Sequence, residues 1–253
     1  MPVLLVHGQP GSSADFAPLR RLLNPARTVL APDRPGWGES GEVAGGFAHN
    51  ATAMVRALDE ADVDRALVIG YSWGGGVALA LAENHPERVA GLVLVSSVGP
   101  HSVGWIDRLP ILPTIGTAIT TSGFVTARAG LLLVGLAQQV RRGKESASHS
   151  WVHALSRSFE GRQGIASFMV EQRALFDELD AIVAQAGDVR AATIVITGDQ
   201  DRVVPQATAS ALADAIPDAR LRIVPGAGHP LPVFAPEAIM RAVADLETSL
   251  AAG

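Results

Sequence analysis

The chain has 253 residues, which is long enough for one α/β domain with an insertion and for a sizeable core without disulfides or structural metal. Its 20 basic and 25 acidic side chains give a net charge of −5, and no basic block is longer than 141–144, so a nucleic-acid-binding surface is excluded. The absence of cysteine excludes a disulfide framework, a thiol nucleophile and thiolate metal ligands.

Six short apolar runs, rich in valine, leucine and isoleucine, alternate with helical segments along the chain. They span residues 3–6, 28–31, 66–69, 92–95, 193–196 and 221–224. This alternation predicts a mostly parallel sheet in an α/β fold, and the continuous apolar character of the runs indicates helices on both faces. Functional side chains are then expected at the carboxyl ends of the strands. The first run has no basic leader before it, and we therefore expect a cytoplasmic protein.

The spacing of these runs is interrupted once, between the fourth and the fifth. Residues 99–189 contain no convincing strand, and we interpret them as a helical cap that lies over the carboxyl edge of the sheet. The core domain then comprises residues 1–98 and 190–253. The insertion is rich in apolar and small residues, which suits a cap that buries an apolar ligand.

Helical patterns recur within the insertion. Trp151, Leu155 and Phe159 are spaced i, i+4 and i+8, and apolar residues across 165–182 mark one face of a second helix. The long apolar stretch 111–137 is interrupted by glycines and an arginine, so it falls short of about 20 uninterrupted apolar residues. We expect it to form partly buried helices and not to span a membrane.

Residues 70–74, Gly-Tyr-Ser-Trp-Gly, stand between an apolar run and a run of small residues. This pattern predicts a strand, a sharp turn and a helix, with Ser72 at the turn. The glycines allow the close approach of strand and helix that a larger side chain would block. Ser72 is therefore the candidate nucleophile, and Tyr71 before it is expected to pack against the sheet.

A serine hydroxyl needs a base, usually a histidine that a carboxylate orients. His229 follows the sixth run after two glycines that leave the backbone free to aim the ring, and it is the candidate base among seven histidines. His7 is expected to hydrogen-bond its own loop. After the fifth run, Asp201 is preferred as the acid over Asp199, because Asp199 lies nearer the strand, where aspartate often caps a turn. The order Ser72, Asp201, His229 is that of one hydrolase class.

A tetrahedral oxyanion needs fixed NH donors, and the loss of one costs about 3 to 4 kcal/mol in the transition state. In the loop 7–11 Pro10 has no NH, so the natural donor is the backbone NH of Gln9. The second donor is expected to be the NH of Trp73, which follows the nucleophile at the positive end of the next helix.

Five segments in order carry a resemblance to a known family. They are residues 7–11, 33–40, 70–75, 198–205 and 226–229. On these segments the chain resembles the α/β-hydrolase superfamily, in the capped group that contains esterases, C–C hydrolases and cofactor-free haloperoxidases. The resemblance covers nearly the whole chain. It implies that Ser72, Asp201 and His229 form a catalytic triad and that loop 33–40 is a structural wall of the site.

Two features depart from the family pattern. Family members usually have one or two strands before the one that leads into the oxyanion loop, so we expect a sheet shortened at one edge, which is either exposed or paired with another subunit in a homo-oligomer. The sequence of 70–75 is also similar to that of epoxide hydrolases and dehalogenases, which have an aspartate where this chain has Ser72. An alkyl adduct of serine is an ether that water does not readily cleave, so the serine favours acyl chemistry.

These features predict a serine hydrolase that cleaves a carboxylic ester or thioester of an apolar small molecule through an acyl-enzyme. The candidate pocket walls are Trp105, Phe124, Trp151 and Phe234. Perhydrolysis, hydrolysis of a C–C bond next to a carbonyl and acyl transfer to another alcohol use the same triad, and a ligand-binding module without catalysis is the rival from another class. The sequence has neither metal-ligand spacing nor a dinucleotide phosphate loop, so no metal or cofactor is expected.

Overall fold

The computed structural model describes residues 1–142 and 147–252, with side chains at all of these except 138–142, 147–150 and 252. The strands are β1 (Val3–Val6), β2 (Val29–Leu30), β3 (Ala66–Tyr71), β4 (Val89–Val95), β5 (Thr193–Gly198) and β6 (Ala219–Val224). The helices are α1 (Ala17–Leu22), α2 (Phe47–Glu60), α3 (Trp73–Asn84), α4 (Gly116–Arg142), α5 (Ala147–Ser158), α6 (Gly161–Asp177), α7 (Leu179–Gln185), α8 (Gln206–Ala215), α9 (Leu231–Phe234) and α10 (Pro236–Ala252).

All strand pairs of the sheet are parallel, in the order β2-β1-β3-β4-β5-β6. The predicted α/β fold with a parallel sheet of six strands is thus confirmed. β2 is shorter than the predicted strand 28–31, whereas β3, β4, β5 and β6 extend beyond the apolar runs from which they were inferred. β2 forms one edge of the sheet, and the pairing of this edge with a second subunit stays a prediction.

Alternate strand residues face opposite sides of the sheet and belong to two separate apolar cores. Leu4 and Val68 pack with α2 and α3 on one face, and Leu5 and Ile69 pack with α1 and α10 on the other. Because helices cover both faces, β3 and β4 are buried along their whole length. The central strands, which end at the candidate site, therefore form its most rigid support.

The insertion between β4 and β5 is helical, and no strand occurs in its described residues. A short 3₁₀ helix, Trp105–Ile111, precedes α4, and α5 ends one residue before Phe159. The prediction of a single helix over 165–182 is wrong, because the helix is interrupted at Glu178, which separates α6 from α7. The Glu178 carboxylate accepts a hydrogen bond from the backbone NH of Phe47, at the start of α2, over 2.8 Å. This contact holds the end of α6 to the core.

The apolar stretch 111–137 was predicted to form partly buried helices. Most of it instead belongs to the single helix α4, which is mostly exposed. Gly116–Ala137 of α4 is long and apolar enough to cross a membrane, with a mean hydropathy of 1.4, and only 11% of its most apolar part is buried. Gly123 and Gly130 have no neighbouring atoms within 4 Å of a Cβ position, so they lie on the open side. Each glycine lowers helix propensity by only about 1 kcal/mol, and packing against α5 and α6 offsets this loss.

The turn after β3 has no room for a side chain at Gly74, and we expect Gly74→Ala to lower the free energy of unfolding by about 2 kcal/mol or more. A methyl group there collides with the backbone carbonyl oxygens of Val6 and His7, which cannot move without disturbing β1. Gly123→Ala is the matched control, and helix propensity favours it by up to about 1 kcal/mol. Urea titrations of both variants test this, and equal effects would contradict the close packing at Gly74.

Candidate active site

Ser72 lies at a strained turn between β3 and α3. Its backbone has φ 54° and ψ −121°, in a region that residues with a side chain rarely adopt. The strain is held by backbone hydrogen bonds, because the Ser72 NH donates to the carbonyl of Val95 over 2.9 Å and the Ser72 carbonyl accepts from Val98 and Gly75. The geometry lifts the hydroxyl to the carboxyl edge of the sheet, as a nucleophile requires.

The structure brings Ser72, His229 and Asp201 into one hydrogen-bonded line. Nε2 of His229 lies 3.0 Å from Oγ of Ser72, and Nδ1 lies 2.8 Å from a carboxylate oxygen of Asp201. With the ring proton on Nδ1, the imidazole donates to Asp201 and accepts from the serine hydroxyl. This is the arrangement in which an imidazole can take the serine proton.

The side chain of Asp201 is fully buried but well supplied with donors. Its second oxygen accepts hydrogen bonds from the NH groups of Val203 and Val204, each over 2.9 Å. Burial opposes its ionisation, but the contacts with His229 and the two NH groups outweigh burial and hold the pKa of Asp201 below its usual value. Asp199 instead accepts from the NH of Gly226 and ties the two loops together.

His7 is engaged in its loop and is not free to act as a base. Its Nδ1–H donates to the carbonyl of Gly8 over 2.9 Å, and its Nε2 accepts from the backbone NH of Arg34 over 2.9 Å. Burial, followed by the positive charge of Arg34, lowers the pKa of His7 to about 3. The ring is therefore neutral at physiological pH and serves as a link between the end of β1 and loop 33–40.

The loop after β1 lies directly against the nucleophile. A Cβ built on Gly8 would stand 3.0 Å from Cβ of Ser72, which is a tight contact that a larger side chain would make closer. The backbone NH groups of Gln9 and Trp73 donate no hydrogen bond to other groups in the described part of the chain. Both donors are available to an oxyanion beside Ser72, and their role stays a proposal.

Arg34, in the loop predicted as a wall of the site, is buried and uses all five of its N–H donors. Nε donates to the carbonyl of His7 over 2.9 Å, and the terminal nitrogens donate to the carbonyl of Gly8, to Oδ1 of Asn50 and to both carboxylate oxygens of Glu171. Both side chains of the Arg34–Glu171 pair have no exposed surface. This ion pair therefore joins α6 to loop 7–11.

The same guanidinium also contacts the residue after the nucleophile. Its carbon lies 4.5 Å from the centre of the Trp73 ring, which stacks on Phe47 at 4.2 Å. The indole NH of Trp73 donates to the backbone carbonyl of Glu171 over 3.3 Å. Sequence reasoning missed Glu171, because a single acid within an amphipathic helix carries no signal that its partner, Arg34, lies 137 residues away.

Loop 33–40 is closed by its own contacts and by α6. The carboxylate of Asp33 accepts from the NH groups of Ser13 and Glu39, which help to lower its pKa against the effect of burial. Gly36 has φ 85°, a left-handed conformation that favours glycine. The hydroxyl of Ser167 in α6 donates to the Gly36 carbonyl over 2.8 Å, so α6 also contacts this loop.

A second carboxylate, Asp15, is buried beside the oxyanion loop. Oδ1 of Asp15 accepts a hydrogen bond from the indole NH of Trp151 in α5 over 3.0 Å. Burial raises the pKa of Asp15 to about 7, against the opposing effect of its hydrogen bonds. Tyr71 lies nearby, with its ring 5.3 Å from that of His229, and burial together with the charges of Asp15 and Asp201 raises its pKa well above the usual value.

The four predicted pocket residues lie in different surroundings. Trp105 is 75% exposed, and Phe124 is buried in the cap against the rings of Phe159 and Phe168. Trp151 contacts Phe234 edge to face, with ring centres 5.6 Å apart, and Phe234 is itself largely exposed. Their role in a substrate pocket stays a prediction. Within the described residues, no group of three or more His, Asp or Glu side chains is placed to hold a metal ion.

A parallel sheet that presents a serine at a strained strand-to-helix turn is the architecture of an α/β hydrolase. Residues 3–242 match the model of the alpha/beta hydrolase family, and the chain belongs to this family. The resemblance drawn from the sequence motifs is thereby confirmed. The protein is therefore a hydrolase.

Three similar proteins illustrate the range of the family. The 2-hydroxymuconate semialdehyde hydrolase of Pseudomonas putida is 30% identical over 241 residues, which cover 90% of this chain and 80% of that protein. The predicted carbamate hydrolase RutD of Variovorax paradoxus is 32% identical over 237 residues, covering 90% and 84%. The structure of a thermophilic esterase from Thermogutta terrifontis has a TM-score of 0.76 at 20% identity, covering 99% of this chain and 90% of that one, and shows a shared fold.

Glu171→Gln keeps the shape of the side chain but leaves Arg34 buried without a counter-charge. Removing one partner of a buried ion pair costs about 3 to 5 kcal/mol, and we expect the free energy of unfolding to fall by about that amount. The matched control is Glu42→Gln, whose carboxylate pairs with Arg56 at the surface and should change stability by less than about 1 kcal/mol. Urea titrations measure both, and equally small losses would contradict the burial of the Arg34–Glu171 pair.

Asp15→Asn should gain stability relative to the parent protein as the pH rises. The folded carboxyl has a pKa of about 7 and the unfolded one 3.8, so the folded state holds one more proton between these values. The stability from Asp15 is therefore present below pH 3.8 and is lost as the pH rises to about 7, whereas asparagine does not titrate. Urea titrations at pH about 4 and about 8 measure the change, and a difference independent of pH would contradict the raised pKa.

Proposed function

We propose that the protein is a serine hydrolase that cleaves a carboxylic ester or thioester of an apolar small molecule through an acyl-enzyme at Ser72. The observation that carries this proposal is the hydrogen-bonded line from Asp201 through His229 to Ser72, with spacings of 2.8 and 3.0 Å. A serine is a weak nucleophile unless a base within this reach can take its proton. The strained backbone of Ser72 and the two available NH donors beside it support the same reaction.

In the proposed mechanism Oγ of Ser72 attacks the substrate carbonyl carbon while Nε2 of His229 takes the hydroxyl proton. The oxyanion of the tetrahedral intermediate accepts hydrogen bonds from the NH groups of Gln9 and Trp73. The imidazolium, stabilised by the carboxylate of Asp201, then gives its proton to the leaving alcohol or thiol. Water attacks the acyl-enzyme, His229 takes a proton from that water, and the same proton returns to Ser72 as the acid product leaves.

The electrostatics of the site favour an uncharged acyl substrate. Arg34 is the guanidinium that lies against the oxyanion loop, but all five of its donors are taken within the protein and it has no exposed surface. It is therefore unavailable to a substrate carboxylate. The cap contributes apolar groups next to the loop, because the side chain of Gln9 donates to the backbone carbonyl of Phe168 over 2.9 Å, and the Phe168 ring packs on Phe124.

Hydrolysis of a C–C bond next to a carbonyl is the second candidate function. It is favoured by the 30% identity to the 2-hydroxymuconate semialdehyde hydrolase over 90% of this chain. The same three side chains serve both reactions up to the tetrahedral intermediate. They differ at the leaving group, because C–C cleavage requires His229 to deliver its proton to a carbon atom, whereas ester cleavage requires delivery to oxygen.

Labelling with a fluorophosphonate probe tests the activated serine. We expect the parent protein to form an adduct at Ser72, located by peptide mass spectrometry, and Ser72→Ala to form none. Ser96→Ala is the matched control, because Ser96 is a buried serine just after β4 whose hydroxyl has no hydrogen-bond partner among the described residues. Its labelling should equal that of the parent. Absence of an adduct in the folded parent would favour the ligand-binding module.

Turnover of p-nitrophenyl esters of graded acyl length, compared with 2-hydroxymuconate semialdehyde, separates the two candidate reactions. We expect kcat/KM to rise with acyl length and Ser72→Ala to lower kcat by at least about 10⁴-fold. Ester turnover without cleavage of the semialdehyde supports the first candidate. Cleavage of the semialdehyde alone, still dependent on Ser72, would replace it with the second.

A further inference from the structure

Helix α4 presents a row of apolar side chains to solvent. Val125, Ala129, Leu132, Leu133 and Leu136 are spaced i, i+4, i+7, i+8 and i+11, which places them on one face of a helix. The four larger side chains are 64%, 45%, 69% and 59% exposed, in chain order. We name this row the α4 stripe. An amphipathic helix in a folded domain normally turns such a face to the core, whereas here α5 and α6 pack elsewhere on α4 and the stripe remains uncovered.

An apolar groove adjoins the stripe. Its volume is about 400 Å³, and it lies between α4 and the start of α6. Its apolar lining consists of Phe124, Val125, Ala129, Leu132, Phe159 and Ile165. Arg128, Arg162, Glu160 and Gly161 complete the lining, and Glu160 pairs with Arg128 over 3.0 Å. Nε of Arg128 is buried and has no hydrogen-bond partner among the described residues.

Charge is distributed unequally along the sequence. Helix α4 contains arginines but no Asp or Glu in its 27 residues. The segment 105–162, which runs from the 3₁₀ helix to the start of α6, has seven basic and three acidic residues, whereas the rest of the chain has 13 basic and 22 acidic residues. The apolar stripe is therefore part of the cationic portion of an otherwise acidic protein.

We propose that the α4 stripe docks the protein on the surface of an anionic lipid bilayer, with α4 lying along the interface. Exposed aliphatic side chains enter the boundary between headgroups and acyl chains, and neighbouring arginines pair with anionic headgroups. The helix lies on the bilayer and does not cross it, because part of its surface packs against α5 and α6 of the same folded domain. A second copy is a poorer occupant, because two cationic segments would then face each other.

The groove gives this docking surface a specific shape. An acyl chain that enters it contacts Phe124, Phe159 and Ile165, while the phosphate of the same lipid comes within reach of Arg128 and Arg162. The arginine stems add apolar contact while their guanidinium groups remain at the polar boundary. The occupant is thus a phospholipid within a bilayer.

Co-sedimentation with vesicles tests the proposal without reference to catalysis. The probes are vesicles of pure phosphatidylcholine and vesicles of equal parts phosphatidylcholine and phosphatidylglycerol. We expect the protein to bind the anionic vesicles, with binding weakened by salt, and Leu133→Ser with Leu136→Ser to reduce it at least ~10-fold. Val43→Ser is the control, because Val43 is 82% exposed but lies outside α4, and it should bind as the parent does.

A double variant, Arg128→Gln with Arg162→Gln, tests the electrostatic contribution to binding. Losing two arginines near the surface should weaken binding to the anionic vesicles at least ~10-fold and leave the thermal unfolding temperature close to that of the parent. Ser72→Ala should bind like the parent, which separates docking from the proposed hydrolysis. The proposal is overturned if the parent binds neither vesicle, or if binding is unaffected by the two leucine changes. Light scattering that shows a dimer dissociated by those leucine changes would assign the stripe to a second copy instead.

Discussion

The buried ion pair of Arg34 and Glu171 is the interaction on which the site depends. Taking two charges out of water is unfavourable, and it is tolerated only where every remaining donor and acceptor is satisfied. Arg34 meets this condition by donating to the carbonyls of His7 and Gly8, to Asn50 and to Glu171. Arg34 therefore links loop 7–11 to α6, alongside the hydrogen bond from Gln9 to the Phe168 carbonyl. A shift of α6 that separated Glu171 from Arg34 would leave a buried charge unpaired.

The ionisation of the surrounding groups follows from the same packing. His7 is held neutral by burial and by the charge of Arg34, and burial raises the pKa of Asp15 to about 7. Asp201 has its pKa lowered by the NH groups and by His229 that face it. Among these three buried groups Asp201 is the one with a carboxylate favoured in its ionised form. That charge lies beside His229, where an imidazolium would need it.

Much of the fold could be predicted because strands and turns are local features. Apolar runs indicated all six strands, although β2 is reduced to Val29–Leu30, which pair only with Val3 and Leu4 of β1. The glycines and small residues around Ser72 predicted the turn between β3 and α3. Glu171 had no local signal, since its burial depends on a partner 137 residues away. The exposure of α4 could not be predicted from the sequence either, because periodicity identifies an apolar face but does not indicate whether another element covers it.

The helical insertion between β4 and β5 packs on the core with α6 and α7, whereas its α4 is mostly exposed. Some of its inner contacts are apolar, because Leu179 and Ile182 of α7 belong to the hydrophobic core. Others are polar, because Ser167 and Glu171 of α6 are buried against the backbone of Gly36 and the side chain of Arg34. A polar inner surface is required there because the loops it covers present carbonyl groups that need donors and a guanidinium that needs a counter-charge. Several apolar residues of α4, in contrast, face outward. An apolar environment outside the protein, such as the lipid interface proposed for α4, would bury the apolar side chains of α4 that the core leaves exposed.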